Sequence, residues 1–264
     1  MMQNEYRPFL SEIKEVIRHT EVEYTFRMEY HGPVKPGQFF ELSLPKYGEA
    51  PISVSGIEDG LIDFTIRKVG KVTDEIFEQY VGSSLFIRGP YGNGFDLEQF
   101  RGRELVIVAG GTGVSPVRGV ISYFADHPGE SRGVHLIAGF KNPDEILFKK
   151  DFARWRQQID VTMTIDAGEP TEEYRVGLVT SFIPGLRLQD RSAAEAIVAG
   201  PPAMIRFSAA ALVAAGFPEE HIWISQSRKM CCGMGKCGHC KVNDTYICLD
   251  GPVFNYTRGK TLID

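Results

Sequence analysis

Cysteine is missing from the first 230 residues of this 264-residue chain, since all five cysteines lie in the last 34. No apolar run approaches the roughly 18 residues of a membrane span, so none is expected. The first residues, MMQNEYRPFL, lack the apolar core of a signal peptide. We therefore expect a cytoplasmic protein, in a compartment where thiols stay reduced and disulfides are rare.

An excess of positive charge is also missing. The formal net charge is −5 and the sequence pI is about 5.8, whereas a nucleic-acid partner requires a basic surface. Hydrophobic residues make up 43% and charged residues 24% of the chain, which is typical of a folded protein and not of a disordered one. The length allows one large domain or two of ordinary size.

The cysteines that are present have the spacing of an iron–sulfur site. Counted from Cys232, the order is C-x4-C-x2-C, followed by a fourth cysteine after seven further residues. This order is the plant-type [2Fe–2S] spacing, in which four thiolates converge on two irons. Interspersed glycines free the backbone of the loop and let its amide N–H groups point at sulfur. The predicted ligands are Cys232, Cys237, Cys240 and Cys248.

Three alternatives to an iron–sulfur cluster stay open at this point. Structural zinc usually takes two short Cys-x2–4-Cys knuckles, and one is present here. Cys237-Gly-His-Cys240 has the form of a thioredoxin-like redox pair, but such a motif belongs near the start of a βαβ unit. The third alternative is a set of free thiols. Cys231 is left over, because using it would lengthen the first spacing, and His239 is interpreted as an exposed loop residue.

The first hundred residues have the pattern of a small antiparallel barrel. From Glu23 to Tyr30, apolar and polar side chains alternate strictly, which is the period of a half-buried strand. Further short strands separated by turn residues are predicted over 38–44, 52–55, 61–69 and 84–88. Many short strands at this spacing favour a barrel, so we assign residues 1–100 to one domain.

The pattern changes after residue 100 to that of a parallel α/β sheet. Short, continuously apolar runs at 105–109, 134–138, 161–165 and 196–199 are typical of strands buried on both faces. Helical patterns at 116–125, 143–158 and 202–215 separate most of them, and 221–225 is predicted as the last strand. We assign 101–225 to this α/β domain and 226–264, which has little periodicity, to a cluster-binding segment.

Two glycine-rich turns follow buried strands of the predicted sheet. They read AGGTGVSP, from Ala109, and AGPPAM, from Ala199. Glycine lets a diphosphate approach the backbone, and a helix N-terminus supplies free N–H donors. Neither turn is the G-x-G-x-x-G of classical dinucleotide folds, and each alone is equally typical of a plain strand-to-helix connection. Both lie at carboxyl ends of strands, where ligands of open α/β sheets bind.

Taken together, these motifs resemble the ferredoxin–NADP reductase superfamily over essentially the whole chain. The resemblance is strongest to its electron-transfer subunits with a C-terminal [2Fe–2S] tail. These include the electron-transfer subunits of dihydroorotate dehydrogenase and of anaerobic sulfite reductase, and the gamma subunits of sulfhydrogenases. The stretches EAPISVSG, MCCGMGKCGHC and GPVFNYT are most similar to the anaerobic sulfite reductase member.

The resemblance implies an FAD-binding barrel, with FMN the less favoured flavin. The family's Arg-x-aromatic-Ser motif corresponds to Ala50-Pro51-Ile52-Ser53, so Ser53 matches, while the arginine and the aromatic residue are replaced. Arg67 is our candidate for the missing cation, because guanidinium pairs well with phosphate; a solvated strand face is the alternative. The candidate flavin contacts are Pro51, Ile52, Ser53, Arg67, Gly70, Thr73, Tyr91 and Phe95. The segments that contain Gly70, Thr73, Tyr91 and Phe95 are also typical of ordinary turns.

The resemblance further implies nicotinamide-nucleotide binding by Gly110, Gly111, Gly113, Gly200 and Pro201. NADH is favoured over NADPH, because Asp144 and Glu145, rather than an arginine cluster, follow the run at 134–138. Hydride would pass from the nucleotide to the flavin and single electrons to the cluster, with no catalytic side chain.

The implied partners are another iron–sulfur subunit and a sirohaem-bearing sulfite reductase subunit. A dihydroorotate dehydrogenase or sulfhydrogenase assembly is the alternative. A hypothesis of another class is a zinc-stapled scaffold that binds a nucleotide without catalysis.

Overall fold

A computed structural model describes residues 6–79 and 83–263. Contacts group the chain into two compact units, one of which contains Met1–Phe95 with Ser227–Pro252 and the other Asp96–Gln226 with Val253–Asp264. This grouping differs from the predicted division into 1–100, 101–225 and 226–264. The C-terminal segment is shared, because its cysteine-bearing part packs with the barrel while its last residues join the sheet.

The first unit is built on a closed six-stranded barrel, as predicted. The strands are β1 (Phe9–Arg18), β2 (Glu23–Glu29), β3 (Phe39–Leu44), β4 (Gly48–Glu58), β5 (Leu61–Arg67) and β6 (Ser84–Tyr91). They pair antiparallel in the order β1-β2-β5-β4-β3-β6, and β6 closes on β1. Helix α1 (Lys71–Gln79) follows β5. The apolar residues of the alternating pattern in β2 face the barrel interior, where Phe26 and Met28 are fully buried.

The second unit contains a seven-stranded sheet. Its parallel strands are β7 (Glu104–Gly110), β8 (Gly133–Phe140), β9 (Asp160–Ile165), β10 (Arg175–Val176), β11 (Glu195–Ala199) and β12 (Ile222–Ser225). The helices α2 (Val114–Asp126), α3 (Lys149–Trp155) and α4 (Pro202–Ala214) connect them, with short 3-10 turns at Leu97–Phe100, Gly111–Gly113, Pro143–Glu145, Val179–Phe182 and Glu219–His221. The predicted parallel α/β domain is confirmed.

The C-terminal segment contributes small elements to each unit. In the first unit it forms a hairpin, β13 (Lys241–Val242) with β14 (Thr245–Tyr246), followed by α5 (Ile247–Asp250). In the second it forms β15 (Val253–Asn255) and α6 (Tyr256–Gly259). Because β15 pairs antiparallel with β12, the prediction that 221–225 is the last strand is wrong.

The predicted helix over 143–158 is only partly correct. A 3-10 turn starts at Pro143, and α3 begins at Lys149. Between them Phe148 has a left-handed backbone, with φ of 53°, which an α-helix of L-residues does not accommodate. Across 6–79 and 83–263, no helix has both the length and the apolar character needed to span a bilayer.

The buried carboxyl of Glu195, at the start of β11, makes stability depend on pH. Burial raises its pKa, an effect opposed by the hydrogen bond that Nε1 of Trp223 donates to its Oε2 at 3.0 Å. A carboxyl with a raised folded-state pKa keeps its proton in the folded state after the unfolded state has lost it. Stability therefore falls as the pH rises from the ordinary carboxyl range through the folded-state pKa.

Replacing Glu195 with glutamine should accordingly raise the melting temperature at about pH 8, with a gain that shrinks toward about pH 4. Glutamine keeps a carbonyl oxygen that can accept from Trp223. Thermal unfolding followed by circular dichroism at several pH values measures the gain, with the exposed Glu172→Gln as the matched control. A gain that stayed constant across this pH range would contradict the assignment.

Candidate functional site

The four predicted ligand cysteines come together in the first unit. Cys232 and Cys240 lie on the loop between β12 and the β13–β14 hairpin, and α5 carries Cys248. These three side chains are almost completely buried, whereas Cys237 and His239 are exposed. The loop therefore has a covered interior and one edge open to solvent.

The thiols are arranged as two pairs. The Sγ atoms of Cys240 and Cys248 lie 3.3 Å apart, and the thiol of Cys237 interacts with that of Cys232. Backbone N–H groups point at the buried sulfurs: those of Met234, Lys236 and Cys237 donate to Cys232 Sγ at 3.3–3.5 Å, and that of Gly235 donates to Cys248 Sγ at 3.2 Å. Such donors stabilise thiolate charge.

Two glycines of the loop cannot carry a side chain. Gly233 has φ of +76°, and a Cβ there would lie 2.6 Å from Cδ2 of Tyr91. Gly235 has φ of +69°, and its Cβ would lie 2.7 Å from Cδ2 of Leu249. The left-handed backbone and the close approach both require glycine, as the sequence predicts for a loop that aims its amides at sulfur.

The thiols differ in their readiness to ionise. The backbone N–H of His239 is the main cause that lowers the pKa of Cys237, with Cys232 contributing next. Burial raises the pKa of Cys248 to about 12, and its neighbour Cys240 adds to the effect. The buried thiol thus stays protonated until a metal displaces its proton, so metal binding at this loop releases protons.

This donor set fits a [2Fe–2S] cluster. In the described part of the chain, no three ligating side chains are grouped as a single metal ion would need. Two thiol pairs are what two irons with two sulfur ligands each require. Cys232, Cys237, Cys240 and Cys248 would hold the group. Cys231 belongs to neither pair. Nη2 of Arg88 donates a hydrogen bond to the backbone carbonyl oxygen of Cys231.

Arg88, which the sequence does not single out, lies at the centre of a polar cluster beneath this loop. It is 2% exposed. Its guanidinium donates to both carboxylate oxygens of Glu49, to the hydroxyl of Tyr91 and to the backbone carbonyls of Cys231 and Cys232. Arg88 is a charged residue within a strand, at a position whose side chain points away from the barrel core. That combination is the sequence signal that could have identified it.

Glu41 adjoins this cluster. It lies opposite Arg88 in the β3–β6 register and is fully buried, and within 6–79 and 83–263 neither carboxyl oxygen has a hydrogen-bond partner. Burial raises the pKa of Glu41 to about 8, against the opposing charge of Arg88. The side chain is therefore largely protonated at neutral pH.

Six of the eight candidate flavin contacts fall on β4, on β5 and at the start of α1, while Tyr91 ends β6 and Phe95 follows it. Thr73 lies in the first turn of α1, and its Oγ1 accepts hydrogen bonds from the backbone N–H groups of Val69 and Gly70 at 3.0 Å. A Cβ at Gly70 would meet nothing within 4 Å, so the space before the helix is open. A helix N-terminus with open space suits a diphosphate.

Arg67, the last residue of β5, is placed next to that helix. Its Nη1 lies 3.7 Å from Oε1 of the buried Glu23, and 40% of its side chain is exposed. Pro51, Ile52 and Ser53 are half-buried in β4, which pairs with β5 from Val54 and Phe64 onward. Their contacts with a flavin stay predictions.

Tyr91 and Phe95 occupy different surroundings from one another. Tyr91 packs on Phe39, with ring centroids 5.7 Å apart, and covers Gly233 of the cysteine loop. Phe95 is 1% exposed, and its backbone N–H donates to the carbonyl of Pro36. The contact of these rings with a flavin stays a prediction, and Tyr91 also contacts the cysteine loop.

The two glycine turns of the second unit are neighbours, because β7 and β11 are adjacent parallel strands. A Cβ at Gly113 would lie 2.5 Å from the carbonyl oxygen of Ala199 and 2.6 Å from Cα of Gly200. Gly110 and Gly200 both pack on the side chain of Met204. Pro201 precedes α4 directly. The predicted nucleotide residues, Gly111 among them, thus lie at one edge of the sheet, where α/β proteins bind ligands.

Two family models match the chain. Residues 107–210 match the oxidoreductase NAD-binding domain. Residues 227–258 match the iron–sulfur cluster binding domain of dihydroorotate dehydrogenase B. These matches cover the glycine turns and the four paired cysteines, respectively.

Curated relatives cover nearly all of the chain. "Sulfhydrogenase 1 subunit gamma" of Pyrococcus furiosus is 33% identical over 276 residues, which cover 97% of this chain and 94% of that protein. "Probable dihydroorotate dehydrogenase B (NAD(+)), electron transfer subunit" of the same organism is 31% identical over 240 residues, with 90% and 85% covered.

Solved structures share the fold at lower identity. The NADH-dependent reduced ferredoxin-NADP oxidoreductase structure superposes with a TM-score of 0.78 at 23% identity and covers 97% of this chain and 90% of its own. A ferredoxin NADP+ reductase from Neisseria gonorrhoeae, with bound FAD and NADP, gives 0.71 at 17% identity, with 82% and 97% covered. The chain is an oxidoreductase subunit of the family of sulfhydrogenase gamma subunits and dihydroorotate dehydrogenase B electron-transfer subunits, and it has the fold of ferredoxin–NADP reductases.

Proposed function

We propose that this chain takes electron pairs from NADH and delivers single electrons to a partner subunit. The observation that carries the proposal is the pairing of four thiols, with N–H donors aimed at sulfur, on the unit that also carries the flavin candidates. A site for single-electron transfer on the same unit as a flavin barrel suits a chain in which electrons arrive in pairs and leave singly.

When bound, the flavin and the cluster would supply the chemistry, namely acceptance of a hydride from nicotinamide and release of its electrons one at a time. The chain's own residues bind and orient those groups. Cys232, Cys237, Cys240 and Cys248 bind iron, and the loop amides stabilise the charge on sulfur. The α1 N-terminus and Arg67 bind the flavin phosphates, and the two glycine turns bind the nucleotide diphosphate.

NADH is the nucleotide we propose. After β8 the chain continues with Lys141 and Asn142 and then with Asp144 and Glu145, in the 3-10 turn at Pro143–Glu145. Carboxylates at this point suit the free ribose hydroxyls of NADH, whereas the extra phosphate of NADPH is bound by arginine. A markedly lower KM for NADH than for NADPH is the expected result.

The proposed acceptor is an anaerobic sulfite reductase complex with an iron–sulfur subunit and a sirohaem subunit, in the cytoplasm. The support is the resemblance of EAPISVSG, MCCGMGKCGHC and GPVFNYT. The second candidate is a sulfhydrogenase-type assembly, which the 33% identity to a sulfhydrogenase gamma subunit favours. Anaerobic purification from the native cells, with identification of the subunits that co-purify, separates the two.

The visible spectrum tests the core of the proposal. Protein purified without oxygen should show flavin bands with a broad iron–sulfur shoulder, and NADH should bleach both. NADPH at the same concentration serves as the matched control for nucleotide choice. A colourless preparation containing stoichiometric zinc would overturn the proposal in favour of a zinc-stapled scaffold.

A further inference from the structure

Charged side chains lie buried on the outer face of β3 and β6. Successive strand residues point to opposite faces, and Phe40, Leu42 and Ile87 belong to the barrel core. Glu41 and Arg88 therefore point outward, yet they are 0% and 2% exposed. Their burial on an outer face requires a covering segment, and the contacts of Arg88 identify the chain at Cys231 and Cys232 as part of that cover.

Arg88 uses every donor it has. Nε and Nη2 donate to the two carboxylate oxygens of Glu49 at 2.8 and 2.5 Å. Nη1 donates to the hydroxyl of Tyr91 at 2.9 Å and to the carbonyl of Cys232 at 2.7 Å, and Nη2 donates to the carbonyl of Cys231 at 2.8 Å. These five bonds match the five N–H groups of a guanidinium, so the side chain has no alternative set of partners to adopt.

The partners belong to two functional segments. Glu49 lies in β4, two residues before Pro51 in the stretch that resembles the family's flavin motif. Cys232 is the first ligand of the cluster loop, 144 residues from Arg88 in sequence. One planar cation therefore links the flavin-motif strand to the start of the cluster loop.

We propose that Arg88 is a positioning residue that holds the first cysteine of the cluster loop against the flavin-motif strand. The inference rests on the proposed function, because it presumes a cluster on these cysteines. Arg88 acts through backbone carbonyls and the Glu49 carboxylate, and touches no ligand sulfur in the described contacts. Its effect is on where Cys232 sits and on how firmly the loop retains iron.

Lysine cannot make the same set of hydrogen bonds as Arg88. An ammonium has three donors on a flexible stem, whereas the site offers five acceptors in the plane of a fork. Arg88→Lys keeps the charge but removes at least two of the five hydrogen bonds that residue 88 donates. Loss of a group that orients a metal ligand typically costs roughly 10- to 100-fold in metal retention, so we expect iron to leave about tenfold faster.

The experiment compares wild type, Arg88→Lys and Arg27→Lys as loaded proteins. Arg27 is a matched control, since it is a barrel arginine paired with a carboxylate, Asp63, at 2.8 Å. Two quantities are measured without oxygen: the rate at which bathophenanthroline disulfonate removes iron, and the electron paramagnetic resonance spectrum after dithionite reduction. Flavin content, measured from the same samples, reports on the barrel.

Faster iron loss and a changed resonance spectrum in Arg88→Lys alone, at unchanged flavin content, are expected. Wild-type iron retention and spectrum in Arg88→Lys would overturn the inference and leave the proposed function standing. A wild-type protein without a cluster signal would overturn both. If Arg88→Lys fails to fold, Glu49→Gln decides the question: it keeps the arginine and weakens its anchor on β4, so wild-type behaviour in that variant refutes the role.

Discussion

Replacing Cys237 with serine should leave NADH oxidation by a two-electron dye intact while abolishing delivery of single electrons. Cys237 is the exposed member of the predicted ligand set, and its thiol has a lowered pKa, chiefly because the His239 N–H points at it. Serine has no comparable affinity for iron, so the cluster would be lost or altered. Since even the loss of a group that only orients a ligand costs roughly 10- to 100-fold, loss of a ligand should cost more.

The measurement uses two acceptors with the same protein. Dichlorophenolindophenol reports the flavin reaction, and cytochrome c reports single-electron delivery. Cys231→Ser is the matched control, because Cys231 is the adjacent cysteine outside both thiol pairs, and its carbonyl oxygen, which accepts from Arg88, is kept. If Cys237→Ser supported both reactions at wild-type rates, the route through the cluster would be wrong.

Replacing Gly113 with alanine should raise the KM for NADH by about tenfold or more, because overpacking of this kind costs roughly 1–3 kcal/mol. The backbone of Gly113 is ordinary, with φ of −63°, so the cost is steric. The new Cβ would lie 2.5 Å from the Ala199 carbonyl oxygen and 2.6 Å from Cα of Gly200. Both are backbone atoms, so relief requires the two turns to move apart.

Gly129→Ala is the matched control for this change. Gly129 lies outside both turns, and a Cβ there meets nothing within 4 Å, so alanine should leave the KM unchanged. Steady-state kinetics with varied NADH measures both variants, and the flavin and cluster spectra confirm that the other unit is folded. A wild-type KM in Gly113→Ala would show that the two turns do not bind the nucleotide together.

Much of the fold can be predicted from the sequence because periodicity has a direct physical cause. Alternation along β2 reflects a strand with one face in a core, and the apolar runs of β7 and β11 reflect burial on both faces. The adjacency of the glycine turns follows from parallel strands that end at one edge. By contrast, the sequence does not indicate β1, because most of its residues are exposed or half-buried, including Leu10 at 60%, so no clean period marks it.

The candidate site is predictable where the signal is local. Cysteine spacing predicts the ligands, because one loop must supply three of them, and the structure brings the predicted side chains together. Arg88 cannot be identified in this way, since its role depends on the cover that Cys231 and Cys232 provide from 143 and 144 residues away. The same applies to β15, which has three residues and is a strand only because β12 offers it an edge.

Because β12 pairs with β15, the cysteine segment between them can be deleted without separating these two strands of the sheet. Ser225 and Val253 are register partners on adjacent antiparallel strands, so the chain leaves the sheet and returns at the same point. A two-residue turn suffices to join such strands. Replacing the intervening residues with such a turn would remove all four predicted ligands at once and keep β15 beside β12. Under the proposed function, the shortened protein would still oxidise NADH but would no longer deliver electrons singly.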